Sequence, residues 1–266
     1  MKTIVIIPAR YSSVRFPGKP LKMLSVGDRQ KKTLIQLSWE AACKIDNVEE
    51  VFIATDDERI RIEAQSFGAK VIMTSKDCKN GTERCAEAID KLNFDGDIVV
   101  NFQGDAPLTP NWFVEDLIKA FHENVDTQIA TPVLRLDGVL LNAFKLDRRS
   151  GRVGGTTAVF DNEGNALYFS KEIIPYFDKK RLNRNETYPI FQHVGVYAYR
   201  RKLLLKYKSW KESNLELTEG LEQLRFLENG YSVKCVPVDS KGRTFWELNN
   251  PEDVARIEKE IDKDIA

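Results

Sequence analysis

The chain has 266 residues with 40 basic and 40 acidic side chains, so its formal charge is zero at pH 7. That length can bury a sizeable core within one α/β domain, and the charge balance implies no basic face for nucleic acid or a membrane, although it is compatible with local charge clusters. The longest apolar runs fall far short of the roughly 18 residues that cross a bilayer, so no membrane insertion is expected. No signal-peptide pattern precedes the first apolar run. Cys43, Cys78, Cys85 and Cys235 form no CxxC pair, which points to reduced thiols, no zinc and a cytoplasmic location.

In chain order, residues 4–7 form a β-branched apolar run, the mark of a strand buried on both faces of a parallel sheet. Residues 33–44 read as a helix, with Leu34, Leu37, Trp39 and Ala41 for its buried side. A strand follows at 50–54, a helix at 57–67 stopped by Gly68, and a strand at 70–73. Residues 82–92 are helical with Ala86 and Ile89 inward, 97–101 is an apolar strand, and a helix runs from 111 to 121. This βαβ rhythm predicts a doubly wound sheet, mixed but mostly parallel.

After residue 128 the pattern changes. Strands are predicted at 128–136, 155–161, 166–169 and 193–199, with a hairpin turn at Asn162-Glu163-Gly164-Asn165. Residues 176–189 are polar and read as a long surface loop. A helix is expected over 216–228, closed by Asn229-Gly230, then a strand over 232–237. The last helix has a clear start: Asn250 can cap, Pro251 fits the first turn, and Glu252 and Asp253 complement the dipole. The second half reads as insertions on the same sheet.

The chemistry concentrates at strand ends. Arg10, Arg15 and Lys19 follow the first strand, among Ser12, Ser13, Pro17, Gly18 and Pro20. The carboxyl end of the first buried strand is where open α/β sheets bind ligands, and three cations among small residues suit a nucleoside triphosphate. A solvated basic loop is the alternative. Gln103-Gly104-Asp105 follows the strand at 97–101 directly, and a carboxylate there can hold Mg²⁺ by one oxygen or cap a turn. Thr55-Asp56-Asp57 at another strand end favours the metal. Neither a GxxxxGK[ST] loop nor a GxGxxG after the first strand is present, which argues against a P-loop or nicotinamide enzyme.

The blocks IPARYSSVRFPGKP, ATDD, NGTERCAEA, NFQGDAPL, ALYFSKEIIPY, HVGVYAYR and LEQLRFLENG, in that order, resemble the 3-deoxy-manno-octulosonate cytidylyltransferase family over nearly the whole chain. The resemblance implies a nucleotide-diphospho-sugar transferase-like α/β fold with an inserted sugar-binding and dimerisation region. It implies a Mg²⁺-dependent enzyme (Mn²⁺ as a substitute) that joins CTP to the anomeric hydroxyl of a small acidic sugar, a 3-deoxy ulosonic acid. Pyrophosphate is released, and the CMP-sugar goes to lipopolysaccharide or capsule synthesis. A homodimer is implied, each chain a single domain over 1–266 with a nucleotide half (1–127) and an acceptor and dimer half (128–266).

Position by position, the resemblance places Arg10, Arg15 and Lys19 on CTP phosphates, Gly81, Thr82 and Gln103 along the cytidine, and Asp105 on the metal. Lys171, His193 and Tyr197 would line the sugar site, the last two from one face of a single strand. Glu222 and Gln223 would reach the sugar hydroxyls from a helix. Four positions depart from the family. Ala106 stands where a glutamate is usual, Lys171 replaces an arginine, Thr157 replaces a lysine, and Asn249 replaces a second metal-contacting aspartate. Asn249 can ligate without charge, and Glu247 lies two residues away. These changes point to a modified or different ulosonic acid, or to a catalytically weakened CTP-binding paralogue. CMP-sialic acid synthetases and sugar-1-phosphate nucleotidyltransferases are the neighbouring enzyme classes, and a non-enzymatic nucleotide-binding regulator is the alternative of another kind.

Overall fold

The computed structural model describes residues 1–12, 16–27, 30–153, 155–177, 187–243, 245–248 and 250–265. Strands cover Thr3–Ala9 (β1), Met23–Val26 (β2), Gln30–Thr33 (β3), Glu50–Thr55 (β4), Lys70–Met73 (β5) and Ile98–Asn101 (β6). They continue with Ile129–Asp137 (β7), Thr156–Phe160 (β8), Ala166–Ser170 (β9), Thr187–His193 (β10), Tyr197–Arg200 (β11) and Lys234–Pro237 (β12). Helices cover Leu34–Ala42 (α1), Glu58–Ser66 (α2), Gly81–Leu92 (α3), Asn111–Glu123 (α4) and Gly138–Arg149 (α5). Arg201–Tyr207 (α6), Asn214–Glu219 (α7), Leu224–Glu228 (α8) and Asp253–Ile265 (α9) complete them. The chain divides into two compact units: Met1–Ile118 with Val196–Ser209 and Ser240–Ala266, and Lys119–Gly195 with Trp210–Asp239.

In the first unit the strand order is β5-β4-β1-β6-β11. The first four strands are parallel and β11 runs antiparallel to β6. Val5, Ile6 and Ile7 are fully buried, as a central parallel strand covered on both faces requires. The mixed, mostly parallel α/β arrangement around β1 agrees with the expected fold class. Side chains cap the helices that flank the site. Asp57 accepts from the Arg59 N–H at the start of α2, and Asn80 from the Glu83 N–H at the start of α3.

In the second unit the order is β12-β7-β10-β8-β9, antiparallel except for β12 beside β7. The predicted hairpin between β8 and β9 is closed by Asp161 N–H to Asn165 O at 2.9 Å and Gly164 N–H to Asp161 O at 3.0 Å. Among the described residues, no helix is long and apolar enough to cross a membrane.

Several elements differ from expectation, each for a physical reason. The strand expected over 193–199 is broken by a bend at Gly195. β10 pairs with β7 and β8, while β11 leaves to pair with β6, so His193 and Tyr197 do not share one strand face. The helix expected over 216–228 is two helices. Gly220 ends α7 in the left-handed region, at φ 63°, and a Cβ there would also stand 2.7 Å from Lys171 Nζ. Residues 187–189, expected in a loop, begin β10, because Tyr188 buries against Leu136, Leu141 and Phe144. Of the rest of that predicted loop, residues 178–186 lie outside the described residues.

The hairpin β2–β3 and helices α5 and α6 carry no prediction. β2 buries only Leu24 and is held by distant carboxylates of α9: Glu258 accepts from Ser25 N–H at 2.7 Å and Asp262 from Gly27 N–H at 2.9 Å. The last helix starts at Asp253, whose carboxylate accepts from the Asn250 N–H at 2.7 Å.

Candidate active site

β1 and β6 are parallel neighbours, so their carboxyl ends lie side by side. Phe102 N–H donates to Ile6 O at 3.0 Å and carries that pairing into the loop after β6. Gly104 lets the two loops close: a Cβ there would stand 2.9 Å from the Pro8 carbonyl oxygen. The Gly104 carbonyl is held in turn by the buried Ser38 hydroxyl at 3.0 Å. Asp105 is thereby set against the loop that follows β1. Its carboxylate forms an ion pair with the Lys19 ammonium, both side chains keeping some exposure.

The loop after β1 is closed by Gly18 N–H to Tyr11 O at 2.9 Å, and the Tyr11 ring lies under the Arg59 guanidinium, 3.3 Å from its centroid. Arg10 is exposed and reaches Lys79 O at 3.5 Å, just before the start of α3. Gly81 opens α3, and the Gln103 amide nitrogen lies 3.6 Å from where its Cβ would be. Thr82 is fully buried, its hydroxyl 2.9 Å from that of Tyr199. Arg10, Lys19, Gly81, Thr82, Gln103 and Asp105 therefore gather at the carboxyl ends of β1 and β6 and the start of α3. Arg15 lies outside the described residues.

Asp56 and Asp57 do not support the metal as the sequence suggested. Asp57 is spent on the start of α2 and on Arg59, with bonds of 2.9 and 2.7 Å to the guanidinium. Asp56 faces the buried Arg84 at 3.2 Å. Arg84, which the sequence reading missed, also donates to Thr74 Oγ1 at 2.5 Å and ties the ends of β4 and β5 to α3. Leu248 N–H donates to Asp105 O at 2.9 Å, while Asn249 itself lies outside the described residues.

The residues assigned to the sugar fall differently. Lys171 follows β9, and its N–H donates to Glu219 Oε2 at 2.9 Å while Ser170 Oγ donates to Oε1 at 2.7 Å. Glu222 and Gln223 sit in the turn between α7 and α8 rather than on one long helix. Gln223 is buried, and its amide nitrogen has no hydrogen-bond partner among the described residues. Such an orphaned donor carries a desolvation cost that a bound acceptor would remove. Tyr197 belongs to the first unit, its ring stacked on Tyr199 with centroids 5.8 Å apart. Thr157, one of the four positions expected to depart from the family, is committed internally: its hydroxyl donates to Glu172 O at 2.6 Å and accepts from Ile174 N–H at 3.1 Å.

His193 is buried, 3.0 Å from Thr131 Oγ1, with its ring edge-on to Phe169. Burial lowers its imidazole from an ordinary 6.5 to about 3. It is neutral near pH 7, with one ring nitrogen protonated and no net charge. Between those two values the unfolded chain binds a proton that the folded chain does not, so stability is full above pH 6.5 and falls as the pH drops through the window. The expected slope is at most about 1.4 kcal/mol per pH unit. The melting temperature of His193→Gln should therefore decline less between pH 7 and pH 5 than that of the native chain.

The chain is a nucleotidyltransferase, and its cationic loop faces a strand-end carboxylate on an α/β sheet. The chain belongs to the cytidylyltransferase family, whose model matches residues 4–235. It is 41% identical over 258 residues to the 3-deoxy-manno-octulosonate cytidylyltransferase of Maricaulis maris, covering 97% of this chain and 96% of that one. The enzyme of the same name from Bacteroides thetaiotaomicron is 44% identical over 241 residues, covering 88% and 89%. Among solved structures, a CMP:2-keto-3-deoxy-manno-octonic acid synthetase complexed with CTP matches with 32% identity and a TM-score of 0.82, over 99% of this chain and all of that one.

Proposed function

We propose that this chain transfers CMP from CTP to the anomeric hydroxyl of 3-deoxy-manno-octulosonate or a closely similar ulosonic acid, releasing pyrophosphate. The observation that carries this reading is the meeting of Lys19 and Asp105 at the ends of β1 and β6, in a chain about 40% identical to enzymes of that name along nearly its full length. Arg10 and Lys19 hold the triphosphate, and Gly81, Thr82 and Gln103 lie along the cytidine. Positioning and charge neutralisation dominate such transfers, so no covalent nucleophile from the protein is needed.

Mg²⁺ fits this donor set. Among the described residues no cluster of three His, Cys, Asp or Glu side chains could hold an ion alone, and Mg²⁺ is commonly held by one or two carboxylates together with substrate phosphates. Asp105 would hold it, with Asn249 as the second candidate. When bound, the cation supplies neutralising charge to the phosphate oxygens. The Lys19–Asp105 pair keeps both charges compensated until nucleotide and cation arrive as a second set of partners.

The acceptor end differs from the family in its donors. Lys171 lacks the two-pronged fork with which an arginine grips a carboxylate, and the Thr157 hydroxyl is already engaged. This favours a ulosonic acid with altered substituents as the second reading. The test is pyrophosphate release with CTP and Mg²⁺ or Mn²⁺ across a panel of ulosonic acids. Turnover with 3-deoxy-manno-octulosonate supports the first reading, and faster turnover with a modified sugar supports the second. CTP binding without release from any acceptor means a weakened paralogue. The chain works as a homodimer in the cytoplasm, supplying lipopolysaccharide or capsule synthesis. Val139 and Leu146, seven residues apart on α5 and both exposed, offer one apolar face to a second copy, and sedimentation as a monomer would remove that assignment.

A further inference from the structure

We propose that Tyr199 and Tyr207 are positioning residues for the nucleotide, their hydroxyls clamping the turn Asn80–Thr82 from behind. The proposal rests on the reading above that this turn lies along the cytidine. Tyr199 and Tyr207 are both fully buried and come from one short stretch, β11 and α6, which re-enters the first unit late in the chain. The Tyr199 hydroxyl lies 2.9 Å from Thr82 Oγ1, and the Tyr207 hydroxyl accepts from Asn80 Nδ2 at 3.0 Å. The opposite end of the same Asn80 amide caps α3, its oxygen accepting from the Glu83 N–H at 2.9 Å. Both residues flanking Gly81 are thus tied by side chains to a segment more than a hundred residues away.

Stability alone does not require the Tyr199 hydroxyl. A phenylalanine against a valine would fill nearly the same space and leave no donor unsatisfied, and replacing both partners by apolar groups of like shape is close to neutral. What the hydroxyls add is direction. A hydrogen bond of narrow length and angle sets where the first turn of α3 stands, which apolar packing leaves looser. Tyr199 also stacks on Tyr197, so one ring fixes both the nucleotide turn and an aromatic residue assigned to the sugar.

The test is steady-state kinetics and CTP calorimetry on Tyr199→Phe, Tyr207→Phe and the double variant Tyr199→Phe/Thr82→Val. Each tyrosine variant is expected to raise KM and Kd for CTP about fivefold, the worth of one hydrogen bond, with kcat within about twofold of the native chain. In the double variant the denaturation midpoint should return toward the native value while the CTP constants stay no better than those of Thr82→Val alone, its reference because Thr82 itself lies along the cytidine. Native CTP constants in both tyrosine variants overturn the proposal. So do losses that disappear when each variant is assayed well below its own melting temperature, because they assign the hydroxyls to folding alone. A native chain that neither binds nor turns over CTP overturns the functional reading instead, and the clamp with it.

Discussion

Asp105→Asn is expected to lower kcat for pyrophosphate release about a thousandfold, ~4 kcal/mol in the barrier, while leaving the fold intact. The substitution keeps the shape of the side chain and removes only its charge. The backbone that positions residue 105 does not depend on that charge: Gly104 packs on Pro8, Ser38 holds the Gly104 carbonyl, and Leu248 donates to the Asp105 carbonyl. What is lost is the carboxylate charge that meets Lys19 of the cationic loop, and with it the anchor proposed for the divalent ion. Lys19 loses its partner as well, but a partly exposed ammonium can turn to water at modest cost. The melting temperature should therefore stay within a few degrees of the native value. A kcat within fivefold of the native enzyme would remove Asp105 from the chemistry.

The second large effect concerns folding. Arg225 is fully buried and meets Glu216 in a two-pronged pair, Nε to Oε2 and Nη2 to Oε1, both at 2.6 Å. The pair joins α7 to α8 and so shapes the corner that carries Glu219, Glu222 and Gln223. Arg225→Leu strands the Glu216 carboxylate in a low-dielectric setting, and breaking such a pair costs about 3–5 kcal/mol. Arg225→Lys should restore little, since one ammonium cannot reproduce the parallel bonds of a guanidinium. The double change Arg225→Leu/Glu216→Leu should recover most of the loss, because no charge is then left without its counterpart. Denaturant midpoints for the four chains decide this. Equal destabilisation by the single and double changes would show that packing, not charge, holds the corner.

Local patterns were readable where one short segment carried its own physics. The strand at 70–73 appears with the predicted bounds, and the run at 4–7 lies inside β1 because unbroken β-branched residues admit little else. The start of α2 lies one residue beyond the expected 57, and Asp57 caps it through its own side chain. Elements held by distant partners were not readable. β2 depends on Glu258 and Asp262 from the far end of the chain, and the split of the predicted 216–228 helix reflects Gly220 acting against an otherwise helical pattern.

The same divide runs through the site. The cations after β1 and the aspartate after β6 stand out as residue types at strand ends, but their pairing spans 86 positions and emerges only from the parallel register of β1 and β6. Asp56 and Asp57 make the converse point: this acidic pair faces Arg84 and Arg59, which only the folded chain brings to it. Tyr199 and Tyr207 gave no signal at all, since a buried tyrosine hydroxyl looks like any core aromatic until its partner is known.

The decisive measurement is a crystal structure with CTP and Mg²⁺ bound. The triphosphate is expected against Arg10 and Lys19, with Lys19 released from its carboxylate partner, a divalent ion at Asp105, and the cytosine beside Gly81. Phosphates found away from both the loop after β1 and Asp105 would contradict it.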